Sequence, residues 1–475
     1  MKNPPVTPAT PLILIITGLL LLLIPRTLHA GWSRTYGGEN TDIGYCVQET
    51  TDGGYIIVGE KDEDLWLLKT DHNGDTLWTR TYAGEDRECA YEIQETKDDC
   101  YIIVGEKEGD LWLLKVDPQG DTIWTHTYGG DRKEVGYSVC ETTDGGYVIT
   151  GSTKSFGYED IWLLKTDPNG DTVWTRTYGG NDCDIGHWVE ETNDGGYIVT
   201  GEHWFWDYVS MEWKTPPKST LCLLKTDSLG DTLWTRTYGG IWWDYGYSLT
   251  QTSENGYLVV GQTSSLGLYR LWVLKIDSKG DTLWTQTYGG FNIDEGRCIQ
   301  ETAGGYIITG WTNASNWEGG DLWLLKINSD GDTLWTQTYG GPYGDKGYWV
   351  EPTHDGGFIP TGYTEPSEDQ KDIWLLKTDA KGDTLTTFVA EEPHQEPASN
   401  WSILSSVGRS IGFRYADMPQ GFYAQVFDAT GRKVDEIESP AQNGVLTWGE
   451  NHSPGVYFIV LGDKEVSVQK VILIE

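Results

Sequence analysis

Basic residues are scarce in this chain: 34 Lys and Arg stand against 72 Asp and Glu, a net charge of −38. With no basic stripe to meet phosphates, nucleic acid is excluded as a partner. Methionine (3) and phenylalanine (9) are rare, so the apolar content must come from other residues. The seven cysteines (Cys46, Cys89, Cys100, Cys140, Cys183, Cys222 and Cys298) are odd in number and include no CxxC pair. That excludes a full disulfide framework and a zinc ribbon. Most occupy places where other copies of a repeat carry Ser, Val, Gly or Trp, as expected of small buried thiols. HExxH, Gly-x-Ser-x-Gly and phosphate-loop motifs are all missing, and the eight histidines share no common position. No segment of the body shows a 3.6-residue apolar period, which argues against helices.

What is present is repetition. Trp-Leu-Leu-Lys occurs at Trp66, Trp112, Trp162, Trp323 and Trp374, with Cys222-Leu-Leu-Lys and Trp272-Val-Leu-Lys as variants. Gly-Asp-Thr follows at Gly74, Gly120, Gly170, Gly230, Gly280, Gly331 and Gly382, giving seven copies. A period near 50 residues marks a propeller or solenoid. In the third copy, four short segments read as strands: 136–142, 146–151, 160–165 and 171–178. Each is β-branched and aromatic, bounded by Asp, Asn and Gly. Four antiparallel strands in each of seven copies predict an all-β chain built on a seven-bladed β-propeller over residues 31–389. The 60 glycines, 24 tryptophans and 27 tyrosines suit that class.

The ends of the array predict ring closure. Gly31-Trp-Ser-Arg-Thr-Tyr-Gly-Gly38 is the back half of a fourth strand with no copy before it, whereas Asp383-Thr-Leu-Thr-Thr-Phe-Val389 keeps only the front half. The N-terminal strand is therefore expected to complete the seventh blade, hiding two sheet edges. Ahead of it, Lys2, the 13-residue apolar run Leu12–Ile24 and Leu28-His-Ala30 read as a secretory signal peptide over 1–30. The run is short for a bilayer span, so no stable transmembrane segment is expected after cleavage.

The repeat stops in a Pro-, Glu- and Ser-rich linker, 390–402, before a module of alternating strands at 403–475 that fits a small immunoglobulin-like β-sandwich. Its Phe427-Asp-Ala-Thr-Gly-Arg432, Gly455-Val-Tyr457 and Lys470-Val-Ile-Leu473, in that order, resemble the C-terminal sorting domain of type IX secretion cargo. The Asn-Pro that commonly opens such domains is missing near Trp401. The resemblance implies the secretion machinery as a partner, and a location outside a bacterium or on its outer surface. The blade motif is loosely similar to that of pyrroloquinoline-quinone enzymes, an Asp, a Gly and a Trp closing a strand. That likeness implies docking of Trp78, Trp124, Trp174, Trp234, Trp284 and Trp335 between blades. It does not extend to the cofactor, and no cofactor is expected.

Two repeated features invite a metal reading. Asp167-Pro-Asn-Gly-Asp-Thr172 has Gly fourth rather than sixth, so it reads as a hairpin turn rather than a calcium loop. An acid precedes the first strand of every copy: Asp42, Glu88, Glu134, Asp184, Asp244, Asp294 and Asp345. These are expected to cap loop N–H groups, with a cation as the sharper alternative. The recurring Lys69, Lys115, Lys165, Lys225, Lys275, Lys326 and Lys377 are candidate partners for them.

Departures from the repeat point to function. The fourth copy carries ten extra residues between its second and third strands, bringing Trp204, Phe205, Trp206, Tyr208 and Trp213. The loop into the fifth brings Trp242 and Trp243, and the sixth brings Trp317. In a meander all these loops share one face, while the uniform turns share the other. Indoles on scaffolded loops predict a binding face for a glycan or an extracellular protein. No catalytic residue is assigned. A propeller glycan lyase or hydrolase, and a purely architectural surface protein, are the alternatives. A buried polar cluster on one face with a perturbed carboxylate or His would favour the enzyme, its absence would favour binding, and loop aromatics packed among themselves would favour the architectural role.

Overall fold

The computed structural model describes residues 31–384 except 39, 85–86, 156–157, 181–182, 206–217, 241, 266, 291–292, 317–318 and 368–369. In the C-terminal part it describes 401–473 except 404–406, 409–410, 416–421, 429–431, 442–443, 450–451 and 462–466. The signal segment 1–30 and most of the linker lie outside the described residues. The chain divides into two units, 1–387 and 388–475. Neither contains a helix among the described residues.

The first unit is a seven-bladed β-propeller. Blade one is Asp42–Glu49, Tyr55–Lys61, Asp64–Thr70 and Thr76–Tyr82, hydrogen-bonded in chain order. Blades two to six repeat this order. In blade seven, Asp345–Pro352, Phe358–Ser367 and Gln370–Lys377 are completed by the N-terminal strand Trp32–Tyr36, paired antiparallel with Gln370–Lys377. Closure thus occurs as the chain ends predict.

Burial follows strand position. Second and third strands such as Tyr55–Lys61 and Asp64–Thr70 are buried along nearly their whole length, being covered on both faces by neighbouring blades. Fourth strands alternate exposed and half-buried, as an outer edge should. Each interblade core draws on two neighbours: Leu65 and Leu67 of blade one pack with Ile103 and Trp112 of blade two.

The organising motif is an interblade latch. Gly74 has φ +79, and a Cβ there would meet the Trp32 indole at 2.7 Å. Only glycine allows both the backbone turn and the close approach. The Tyr36 hydroxyl donates to the Gly74 carbonyl at 2.6 Å. The same hydroxyl-to-glycine bond recurs from Tyr82, Tyr128, Tyr178, Tyr238, Tyr288 and Tyr339 to the glycine of the next blade's turn. Trp and Tyr of Trp-Thr-x-Thr-Tyr therefore hold one blade to the Gly-Asp-Thr turn of the next, and Trp32 and Tyr36 make the seventh such joint.

The lysines do not pair with the acids that precede the first strands. Those acids cap loop N–H groups: Gly38, Gly84, Gly130, Gly240, Gly290 and Gly341 donate to Asp42, Glu88, Glu134, Asp244, Asp294 and Asp345 at 2.7–3.1 Å. The lysines sit at the opposite strand end and bind acids of the first-to-second turns. Lys69–Asp52, Lys115–Asp98, Lys165–Asp144, Lys225–Asp194 and Lys377–Asp355 are 2.7–3.0 Å apart, and Lys275–Glu254 is 3.4 Å. A strand of seven residues spans roughly 20 Å, which separates the two sets.

Lys326 lacks such an acid because the sixth copy's turn is shortened to Ala303-Gly304. Burial pushes its ammonium down to about 8 from 10.5. The folded state thus holds fewer protons than the unfolded chain between those values, and this group's contribution makes stability rise with pH there. Replacing it by Met is expected to raise stability at neutral pH by about 1 kcal/mol and remove that slope, whereas Lys165→Met, which strands Asp144, is not stabilising. Urea unfolding at neutral and alkaline pH checks both.

The second unit is a β-sandwich. A three-stranded sheet (Trp401–Ile403, Ile411–Tyr415, Gly444–Trp448) faces a five-stranded one that contains Phe422–Asp428, Lys433–Ser439, Gly455–Leu461 and Ser467–Leu473. Phe413, Tyr415 and Trp448 from the first pack against Phe422, Val426, Tyr457 and Ile459 from the second. The Asp428–Arg432 turn is closed by the Arg432 N–H and Nε, both donating to Asp428 at 3.1 Å.

Candidate functional site

The first strand of every blade lines the propeller axis and carries a bulge at the same place. In blade one the register slips between Gly44 and Cys46, so Tyr45 is the extra residue. A bulge re-aims its side chain, and here the re-aimed side chains meet around the axis. Tyr45 packs on Tyr91 at 5.5 Å, Tyr91 on Tyr137 at 5.0 Å, Tyr137 on His187 at 5.5 Å and His187 on Tyr247 at 5.4 Å. The Arg297 guanidinium lies 4.1 Å over Tyr247 and 5.7 Å over Tyr348, and Tyr348 returns to Tyr45 at 5.5 Å. Seven blades thus contribute one closed ring of five tyrosines, one histidine and one arginine.

The run of tyrosines is interrupted on one side only. His187 stands in blade four and Arg297 in blade six, flanking Tyr247 of blade five. Polar partners gather there: His187 Nε2 is 3.4 Å from Glu202, Arg297 pairs with Glu295, and Gln262 donates to Glu295 at 3.2 Å. The Lys346 ammonium lies 4.2 Å over Trp311, whose indole N–H is buried without a hydrogen-bond acceptor among the described residues.

The predicted loop indoles meet this same side. Trp204, at the end of Tyr197–Phe205, packs edge-on against Trp243 with centroids 5.0 Å apart, joining the loops of blades four and five. Trp243 stacks toward Tyr245 at 6.4 Å, and Tyr245 stacks on Tyr247 at 5.8 Å. A continuous aromatic tract therefore runs from the variable loops to the axial ring. Trp242, beside it, is 40% exposed. Trp206, Tyr208, Trp213 and Trp317 lie outside the described residues.

Sequence reasoning alone misses the ring and its flanks: Tyr45, Tyr91, Tyr137, His187, Tyr247, Arg297 and Tyr348, with Glu202, Tyr245, Glu295 and Lys346. A signal exists. With the seven copies aligned on Asp42, the fourth position reads Tyr, Tyr, Tyr, His, Tyr, Arg, Tyr, and its departures sit in the copies next to the indole loops.

The arrangement offers stacking faces, a guanidinium, an imidazole and two carboxylates at one mouth. Among the described residues no group of three or more His, Cys, Asp or Glu is placed to hold a metal ion.

No family model matches the chain, and no curated protein sequence matches it. The C-terminal and blade-motif resemblances therefore have no sequence-level match behind them. Similar solved structures include PorZ, described as an essential bacterial surface component of the type-IX secretion system of Porphyromonas gingivalis. It is 12% identical, covers 93% of this chain and 60% of its own, and has a TM-score of 0.42. The Pan2 WD40 domain of Neurospora crassa is 10% identical over 72% of this chain and 97% of its own, with a TM-score of 0.45. A puromycin hydrolase is 11% identical over 90% and 60%, with a TM-score of 0.45. The chain spans about 60% of the length of the first and third. These likenesses concern the fold, and neither residues nor activities are carried over from them.

Proposed function

We propose that the chain is an exported, non-catalytic binding protein that takes a glycan on its variable-loop face, at the mouth formed by blades four to six. The observation that carries this reading is the aromatic tract from Trp204 and Trp243 through Tyr245 to the ring at Tyr247. Sugar rings stack on such faces, and Arg297, His187, Glu202 and Glu295 supply the few convergent polar groups that fix orientation. Exposed Trp242 extends the platform outward. Export rests on the apolar run Leu12–Ile24 and on the sorting-domain resemblance of residues 403–475, which would engage type IX machinery and leave the chain outside the cell.

A second reading, an architectural surface protein, has one observation in its favour: Trp204 and Trp243 pack on each other. A panel of neutral and carboxylated oligosaccharides separates the two. The full chain is expected to bind a subset of the panel, and Trp204→Ala/Trp243→Ala, with folding verified, is expected to lose at least about tenfold in affinity. Failure of the wild-type chain to bind any member, or full retention by the variant, rejects the proposed site. Turnover of a bound oligosaccharide that disappears in His187→Ala would instead establish the enzymatic alternative.

A further inference from the structure

Below the axial ring, toward the uniform first-to-second turns, lies a cavity of about 350 Å³. That is about a dozen waters' worth of liquid volume. Its walls include Glu92, Glu190, Glu351, Trp188, Trp349 and Gln300, with Val139 and Val189 between them, and no Lys, Arg or His among the described residues lines it. Trp188 and Trp349, from blades four and seven, meet with centroids 5.1 Å apart.

The wall residues are departures from the repeat. At the position of Trp188 and Trp349, blades one, three, five and six carry Cys46, Ser138, Ser248 and Cys298, and blade two carries Glu92. Small side chains suffice there for the ring-closing contact: Ser138 accepts the Val189 N–H at 3.1 Å, as Glu92 accepts that of Val139 at 2.9 Å. Two residues on, Gln48 and Gln94 accept the backbone N–H of Glu95 and Glu141. Glu190 and Glu351 make the same bond, to Gln251 at 3.1 Å and Glu49 at 3.0 Å. A carboxamide therefore does this structural work, and the carboxyl groups at 92, 190 and 351 are not required for it. Five departures, two indoles and three acids, converge on one cavity.

We propose that this cavity is a binding site for a small aliphatic amine with two or more ammonium groups, a di- or polyamine. The carboxyl groups stand on blades two, four and seven, spread around the axis so that separate ammonium groups each find one. Val139, Val189 and the indoles face the methylene segments, and indole faces attract cations. Anions are refused by a wall without a basic group. Glu49, Glu95, Glu141 and Glu191 end the neighbouring first strands at this face; Lys97 beside Glu141 and His354 beside Glu49 offset part of their charge, and the remaining acids favour cations at the entrance.

Before an amine enters, burial keeps part of the wall protonated near neutral pH. Burial pushes Glu92 up to about 8, Glu190 to about 7 and Glu351 to about 8, with the Glu190 charge adding to the shift of Glu92 and those of Glu49 and Glu95 to that of Glu351. The other titratable groups facing them are the Glu191 carboxyl, which also lines the cavity, and the thiols of Cys46, Cys140 and Cys298, which burial pushes up. An entering ammonium ionises the carboxyls, so binding releases protons and affinity rises with pH, by up to about tenfold per pH unit for each proton released.

The test is calorimetric titration of the full chain with spermidine and with putrescine, at about 0.15 M salt to screen the surface charge. Two buffers of different ionisation enthalpy are used near neutral pH. One saturable site with proton release is expected, with affinity lowered about tenfold or more in Glu92→Gln/Glu351→Gln and unchanged in Trp204→Ala/Trp243→Ala. No saturable heat, equal affinity in the glutamine variant, or binding without proton release overturns the proposal. The proton count is read on the wild-type chain, so it decides even if the variant fails to fold.

Discussion

Removing residues 32–36 opens the ring and abolishes cooperative unfolding of the propeller. That strand completes the seventh blade by pairing along Trp32–Tyr36 with Ile373–Lys377. It also makes the latch between the seventh and first blades: the Trp32 indole against Gly74 and Tyr55, and the Tyr36 hydroxyl on the Gly74 carbonyl. Without it, Leu375 and its neighbours face water along a whole edge, and an unpaired edge invites association. Trp32→Ala is the milder version. The indole is half-buried and donates to the His72 carbonyl at 3.1 Å, so its loss is expected to cost about 2–3 kcal/mol, below the value for a fully enclosed Trp. Thermal unfolding with light scattering measures both. A strand deletion that melts as the intact chain does would show that closure contributes nothing.

The propeller is also expected to lose stability as pH rises through neutrality, the reverse of a protein held together by paired carboxylates. Burial raises Glu92 and Glu351 from 4.5 to about 8, and Glu190 from 4.5 to about 7. Each carboxyl therefore holds its proton more tightly in the folded chain than in the unfolded one. The native state keeps protons that the unfolded chain has already released, and the stabilisation present below the unfolded values is lost as pH climbs to the folded ones. Each tenfold gain in proton affinity corresponds to about 1.4 kcal/mol, so the combined effect is on the order of several kcal/mol. The melting temperature should fall between about pH 4.5 and about pH 8, the window set by these unfolded and folded values. Glu92→Gln/Glu351→Gln, which keeps the acceptors for the Val139 and Glu49 N–H groups, should flatten that fall and melt higher than wild type at the alkaline end. A wild-type melting temperature independent of pH across this range would refute the neutral state of these carboxyls.

Much of this architecture is legible in the sequence because one packing joint is written seven times. Trp, Tyr and Gly recur at fixed offsets since each blade must latch the next, and the truncated copies at the two chain ends disclose how the ring closes. The axial ring is not legible by the same reasoning. Tyr45 and its equivalents face the channel through a bulge, and strand alternation counted from Asp42 cannot show the slipped register. Pairing the lysines with the acids before the first strands fails for a related reason: periodicity places Lys69 and Asp42 in every copy without showing that they sit at opposite ends of their strands. The indole loops are recognisable because they break the repeat. The structure joins Trp204 to Trp243 and leaves Trp242 exposed, while Trp206, Tyr208, Trp213 and Trp317 fall outside the described residues. His187 and Arg297 break the repeat as well, but by substitution inside a strand, where a single changed letter is harder to see than ten inserted ones.

Hydrogen exchange of the full chain, with and without the tightest-binding oligosaccharide of the panel, tests the placement of the site most directly. Exchange is predicted to slow at residues 203–204, 242–247 and 295–297, the indole pair and its path to the axis. Protection confined to the first-to-second turns, such as 50–54 and 142–146 on the opposite face, would contradict the account.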